Sequence, residues 1–116
     1  MMKTPQVIDA LRALAHEHRL AIFRLLVERG PAGLPAGRIA ERVGLVPSSL
    51  TFHLQCLQRA GLIAQRRESR HLIYSADFTA MTGLVGYLTD NCCAESAAEC
   101  CPPARPKAAK RAAKAA

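Results

Sequence analysis

"PSSLTFHLQCLQRAGLIAQRRESRHLIYS", residues 47 to 75, changes its period midway, and that change decides the fold. In its first half Leu50, Leu54 and Leu57, with His53 beside them, recur at helical spacing and form an inward stripe. Pro47 suits the first turn of such a helix, and Gly61 suits its end. From Leu62 onward, apolar and polar residues alternate about the polar turn Glu68-Ser69-Arg70, as in a short β-hairpin. A helix that enters the major groove needs an apolar side for its own domain and another side for bases and phosphates. Ser48, Ser49, Thr51, Phe52, Gln55, Gln58 and Arg59 supply that second side. The hairpin adds Arg66, Arg67, Arg70 and His71, suited to adjacent phosphates or a minor groove. Each piece alone reads as an amphipathic helix or a solvated charged hairpin. Their order and spacing together favour a DNA-binding unit.

Outward from this stretch, the rest of the chain is helical. Thr4-Pro5 reads as an N-cap and first helical residue, followed by Val7, Ile8, Leu11, Leu14 and Ala15 at helical spacing. A second stripe, Leu20, Ile22, Phe23, Leu26 and Val27, runs up to the stop at Gly30-Pro31. "GPAGLP", residues 30–35, reads as a loop, and "PAGRIAERVGL" as a short helix closed by Gly44. After the hairpin, Asp77 is a natural N-cap for a last helix with Met81, Leu84, Val85 and Leu88 on one face. The expected fold is mainly α with a small β-hairpin (α+β), a winged helix-turn-helix. Residues 1–91 would form the DNA-binding and dimerisation domain, 92–101 a cysteine cluster, and 102–116 a basic disordered tail.

Composition bounds the function. The chain has 116 residues and a net charge of +7, enough for one domain with a modest core. Arg105, Lys107, Lys110, Arg111 and Lys114 place +5 of that charge after Pro102, where no acid occurs. The folded part is therefore only mildly basic, and the tail reads as an arm that adds phosphate contacts or as a solvating segment. No run approaches the ~18 apolar residues of a membrane span, and the N-terminus lacks a signal-peptide stretch. The expectation is a cytoplasmic protein with no membrane partner, in which clustered thiols are reduced. No phosphate loop, paired carboxylates or strand-borne Cys-x-x-Cys points to an enzyme. A metal-carrying protein of another class would have no use for the groove helix and the wing.

"LRALAHEHRLAIFRLL", residues 11–26, and "SLTFHLQCLQRAGLI", residues 49–63, followed by the charged hairpin, resemble the ArsR/SmtB family of metal- and metalloid-responsive bacterial repressors. The likeness runs from about residue 4 to residue 93. It implies a homodimer on double-stranded operator DNA, released when an inducer binds. The first and last helices would form the interface, making Leu11, Leu14, Leu84, Val85 and Leu88 dimer contacts. One departure is Ser69 in the wing turn, where the family commonly has glycine and where positive φ costs a serine more.

The segment before the groove helix contains no cysteine, and residues 77–90 contain no histidine, so two inducer sites known in the family are absent. Cys92, Cys93, Cys100 and Cys101 remain, a placement similar to relatives that sense trivalent arsenic through an adjacent pair and a later third thiol. Soft thiolates select soft centres, and As(III) with its lone pair takes three sulfurs. Zinc, which prefers four ligands, and oxidation of the vicinal pair both stay open. In a continuous helix Cys93 and Cys100 would stand ~10 Å apart along the axis, too far to share one atom. The last helix must therefore end near Cys92, and "AESAAE" must loop back. Cys56 reads as a small packing residue, His16 and His18 as capping or solvated, and His53 as core support.

Overall fold

The computed structural model describes residues 2–95. Cys100, Cys101 and the basic run after Pro102 lie outside the described residues. The order is α1 (Thr4–Leu14), α2 (Glu17–Arg29), β1 (Leu34–Pro35), α3 (Ala36–Val43), α4 (Pro47–Arg59), β2 (Ile63–Glu68), β3 (His71–Ala76) and α5 (Phe78–Thr89). α3 and α4 make the helix-turn-helix, and β2–β3 make the wing.

The hairpin takes the expected place, with Ile63 opposite Ala76 and Glu68 opposite His71. Between Glu68 and His71 only Ser69 has positive φ, at 57°, the pattern of a type II′ turn in which glycine is usual. Serine is therefore held in the left-handed region, at a cost to the wing turn.

The segment read as a loop is different. Leu34 and Pro35 form a short edge strand on β3, opposite Tyr74 and Ile73, so the sheet has three strands in the order β1-β3-β2. Gly33 makes this possible. It has φ +70°, and a Cβ there would overlap the Tyr74 carbonyl oxygen and the Ile73 side chain. Pro35, which has no N–H to give a ladder, sits on the edge where that lack is tolerated.

Helix starts follow capping chemistry with one shift. The side chain of Asp77 accepts the Ala80 N–H at 3.0 Å and opens α5 as expected. α1 begins one residue earlier than expected. Lys3 occupies the cap, its N–H donating to Gln6 Oε1 at 2.8 Å, and Thr4 lies in the first turn. The Thr4 hydroxyl instead meets the Tyr87 hydroxyl at 2.6 Å and ties α1 to α5. Between α3 and α4, Gly44 adopts a left-handed cap at φ +73°, and both Gly44 and Leu45 donate to the Ala40 carbonyl.

The core lies among the helices and the root of the sheet. Ile22, Leu26, Ile39, Leu50, Leu57 and Leu62 are its largest fully buried side chains. α1 turns Val7, Ala10 and Ala13 inward and leaves Ile8 and Leu11 exposed. Its inner face is thus built from small residues, which bring it close to its neighbours, and not from the full stripe of larger ones. On β2 only Ile63 is buried, so the hairpin stands out from the body.

Candidate nucleic-acid interface and thiol site

α4 buries Leu50, His53, Leu54 and Leu57 against the domain. Ser48, Thr51, Phe52 and Gln55 are exposed on its other side, with Ser49 half-buried at the margin. The Thr51 hydroxyl donates to the Pro47 carbonyl at 3.0 Å, leaving its methyl and an acceptor lone pair outward. Arg59 is exposed near the far end, ~16 Å from Ser48 along the axis. It lines a recess with Asp9, Asp77, Tyr87 and Asp90 at the α1–α5 side, away from the Ser48–Gln55 set.

The wing arginines divide into two kinds. Arg67 and Arg70 are exposed and extend from the hairpin. Arg66 is also exposed, but its guanidinium is engaged by groups of its own protomer. Its Nε donates to Glu68 Oε2 at 2.9 Å, and its Nη atoms donate to the Pro31 and Ala32 carbonyls at 3.1 and 2.9 Å. That fork fastens the wing to the turn between α2 and β1. Nothing in the local sequence distinguishes Arg66 from Arg67, because the carbonyls it reaches are 34 and 35 residues away.

Behind the groove helix lies a cluster that the sequence reading did not assemble. His53 is 8% exposed, its ring 4.7 Å from that of His16 and 5.8 Å from that of His18. His16 caps α2 by accepting the His18 N–H on Nδ1 at 3.1 Å. Arg19 donates through Nε to the Ala13 carbonyl at 2.7 Å, and its Nη1 stands 3.4 Å from His53 Nδ1. A guanidinium can only donate, so this contact requires an unprotonated Nδ1 on His53. Burial, and then His16, Arg19 and His18, push the His53 pKa below the usual histidine value. The expected supporting role of His53 thus has a geometry: a neutral imidazole wedged between α2 and α4.

On α1 and α5, the five residues expected at the dimer face separate. Leu84 is 7% exposed and belongs to the protomer's own core, and Leu14 is half-buried against that core. Both therefore pack within the protomer. Leu11, Val85 and Leu88 are exposed, at 42%, 55% and 59%, and Ile8 and Tyr87 join them as exposed apolar residues on α1 and α5.

α5 ends at Thr89, three residues before Cys92, as the thiol geometry requires. The chain then turns, with Cys92 N–H donating to the Thr89 carbonyl at 3.0 Å and with positive φ at Asn91 and Cys93. Cys92 and Cys93 place their Sγ atoms 3.6 Å apart. Cys93 is disulfide-bonded in this structure. Two sulfurs each ~2.3 Å from one tetrahedral centre would stand about 3.8 Å apart, so the spacing suits one shared atom once that disulfide is reduced. Among the described residues no three His, Cys, Asp or Glu side chains converge as a metal site. Cys56, half-buried within α4, lines a recess with Asp9, Arg12 and Arg19.

A family profile described as a helix-turn-helix domain matches residues 14–66. The transcriptional activator HlyU of Vibrio cholerae is 32% identical over 83 residues, covering 72% of this chain and 74% of HlyU. The chain belongs to the ArsR/SmtB family of transcriptional regulators. Among other members, the nodulation protein NolR of Rhizobium meliloti is 35% identical over 80 residues, 69% of this chain and 63% of NolR. The family fold is also that of a homodimeric winged helix-turn-helix DNA-binding domain from Mycobacterium bovis, a possible ArsR-family regulator. It superposes with a TM-score of 0.60 at 28% identity, covering 82% of this chain and 88% of the domain. These relatives are transcriptional regulators and not enzymes. No helix among the described residues is long and apolar enough to cross a membrane.

Proposed function

We propose that this ArsR/SmtB-family protein is a homodimeric repressor of an arsenic-resistance operon, released from its operator when As(III) binds its C-terminal thiolates. The observation that carries the reading is the vicinal Cys92–Cys93 pair, its sulfurs 3.6 Å apart, one turn beyond the end of α5. With the Cys93 disulfide reduced, two soft donors at that spacing suit one thiophilic atom, and the third sulfur comes from Cys100 or Cys101, or from the second subunit.

The pair follows the end of the helix that exposes Val85 and Leu88, and α1 exposes Leu11. The Thr4–Tyr87 hydrogen bond joins these two helices. In the proposed dimer, α1 and α5 of each subunit pair across the two-fold axis. Closing a third thiol on the pair changes how the end of α5 is held, and so changes the separation of the two α4 helices. Ligand and DNA then favour different arrangements of one dimer, which is the condition for coupling between sites. Arg67 and Arg70 supply phosphate contacts from the wing, and the basic run after Pro102 adds to them. The protein acts in the cytoplasm, where the thiols are reduced.

The test is fluorescence anisotropy of the reduced protein on its own upstream DNA, titrated in parallel with arsenite, zinc and a mild oxidant. Release by arsenite near one equivalent per subunit, abolished in Cys92→Ser and Cys93→Ser variants that still bind DNA, is the expected result. Release by zinc or oxidant alone would replace the signal, and failure to bind DNA would remove the repressor.

A further inference from the structure

The outward face of α4 has a chemical bias. Residues 47–58 contain no Arg, Lys, Asn, Asp or Glu. The bidentate arginine or lysine contact to guanine, the commonest specific contact in the major groove, is unavailable from the first three turns. Arg59, the one arginine of the helix, faces the α1–α5 recess. What the face does present is Ser48, Thr51, Phe52 and Gln55.

Phe52 is the anomaly. A phenyl ring 58% exposed at the centre of a helix-turn-helix motif leaves most of its surface open to solvent. It is nonetheless held in place, edge-on to the buried His53 ring at a centroid distance of 5.5 Å. His53 is in turn fixed by His16 and Arg19. An apolar ring placed in the major groove finds one apolar feature on the base edges, the C5-methyl group of thymine. Gln55, three residues on, lies on the same side, ~4.5 Å further along the axis, close to one base-pair step. A glutamine amide can bond both N6 and N7 of adenine.

We propose that α4 reads A·T base pairs, with Phe52 against a thymine methyl and Gln55 on a neighbouring adenine. This rests on the DNA-binding reading above and specifies what is read. Serine and threonine bond either kind of pair, so the discrimination rests on Phe52 and Gln55. Each half-site of the operator therefore carries an A·T pair at the centre of the α4 footprint.

The experiment starts from the tightest duplex that the full-length reduced protein selects from a random pool. Each thymine is replaced singly by deoxyuridine, which removes only the methyl group. The wild type is expected to lose about fourfold in affinity at one thymine per half-site, the worth of one buried methyl. The double replacement across both half-sites is expected to cost about fifteenfold. F52A, at an exposed position that leaves the fold intact, should bind the thymine duplex about as weakly as the wild type binds the deoxyuridine duplex. It should also no longer distinguish the two. Q55A should lose discrimination at a neighbouring adenine and keep the deoxyuridine effect. A wild type indifferent to deoxyuridine at every position, an F52A protein with the wild-type deoxyuridine profile, or a selected half-site of G·C pairs would overturn the assignment while leaving DNA binding intact. A pool that yields no preferred duplex would remove the DNA-binding reading and this one with it.

Discussion

Gly33 decides whether β1 exists. Its φ of +70° and the close approach of the Tyr74 carbonyl leave no room for a side chain. Gly33→Ala is expected to destabilise the fold by about 2–4 kcal/mol, combining left-handed strain with overpacking, as read from urea unfolding midpoints. A variant within about 0.5 kcal/mol of wild type, the spread of ordinary surface changes, would mean that β1 relaxes at no cost. The two wing arginines separate at the same scale. Arg66→Ala should reduce DNA affinity through a loosened wing and leave the salt dependence of binding unchanged. Arg67→Ala should flatten the dependence of log K on log salt by ~0.9 for each phosphate that the side chain neutralises. Equal slopes for the two variants would show that the Arg66 fork opens onto DNA.

Between elements, the histidine cluster joins α2 to α4. The pKa of His53 is pushed below about 6.5 by burial and by His16, Arg19 and His18. No carboxylate enters that set of interactions, so protonation adds charge beside charge. The folded state therefore binds the His53 proton less readily than the unfolded state does. The contribution to stability is present above about pH 6.5 and is lost as pH falls through that value towards the depressed one. Urea midpoints between pH 5 and 8 should drop on the acid side, and His53→Gln should remove part of the drop. An acid limb of identical depth in the variant would assign the effect to other groups. The sequence showed these histidines only as separate residues, two near the start of α2 and one far along in α4, because spatial convergence carries no local signature. The α4 stripe was legible, since its periodicity reports burial directly. The wing was legible from its alternation. β1 was not, because two residues are too few to show a period and Gly-Leu-Pro is also loop chemistry.

For the molecule as a whole, α1 and α5 carry apolar side chains that the protomer leaves exposed. Leu11, Val85 and Leu88 are exposed there, and Leu84 is enclosed. Leu88→Glu is expected to give a monomer that keeps its helical circular dichroism, seen as a halved mass in sedimentation equilibrium, with weakened operator binding. Leu84→Ala should instead lower protomer stability by about 2–5 kcal/mol and change the association state only as unfolding does. A dimer that survives Leu88→Glu would place the interface elsewhere.

The sequence by itself determined the order of helices and the hairpin, the polar outward face of α4 and the collection of thiols beyond α5. Each of these is written in a period, a cap or a composition, which act over a few residues. Only the tertiary structure decided that Arg66 braces the wing, that three histidines meet behind α4, that Leu84 is core and that Cys92 and Cys93 point their sulfurs together. These depend on which distant groups the folded chain brings within hydrogen-bond or van der Waals reach. Residues of one type, such as Arg66 and Arg67 or Leu84 and Leu88, thereby acquire different roles a few positions apart.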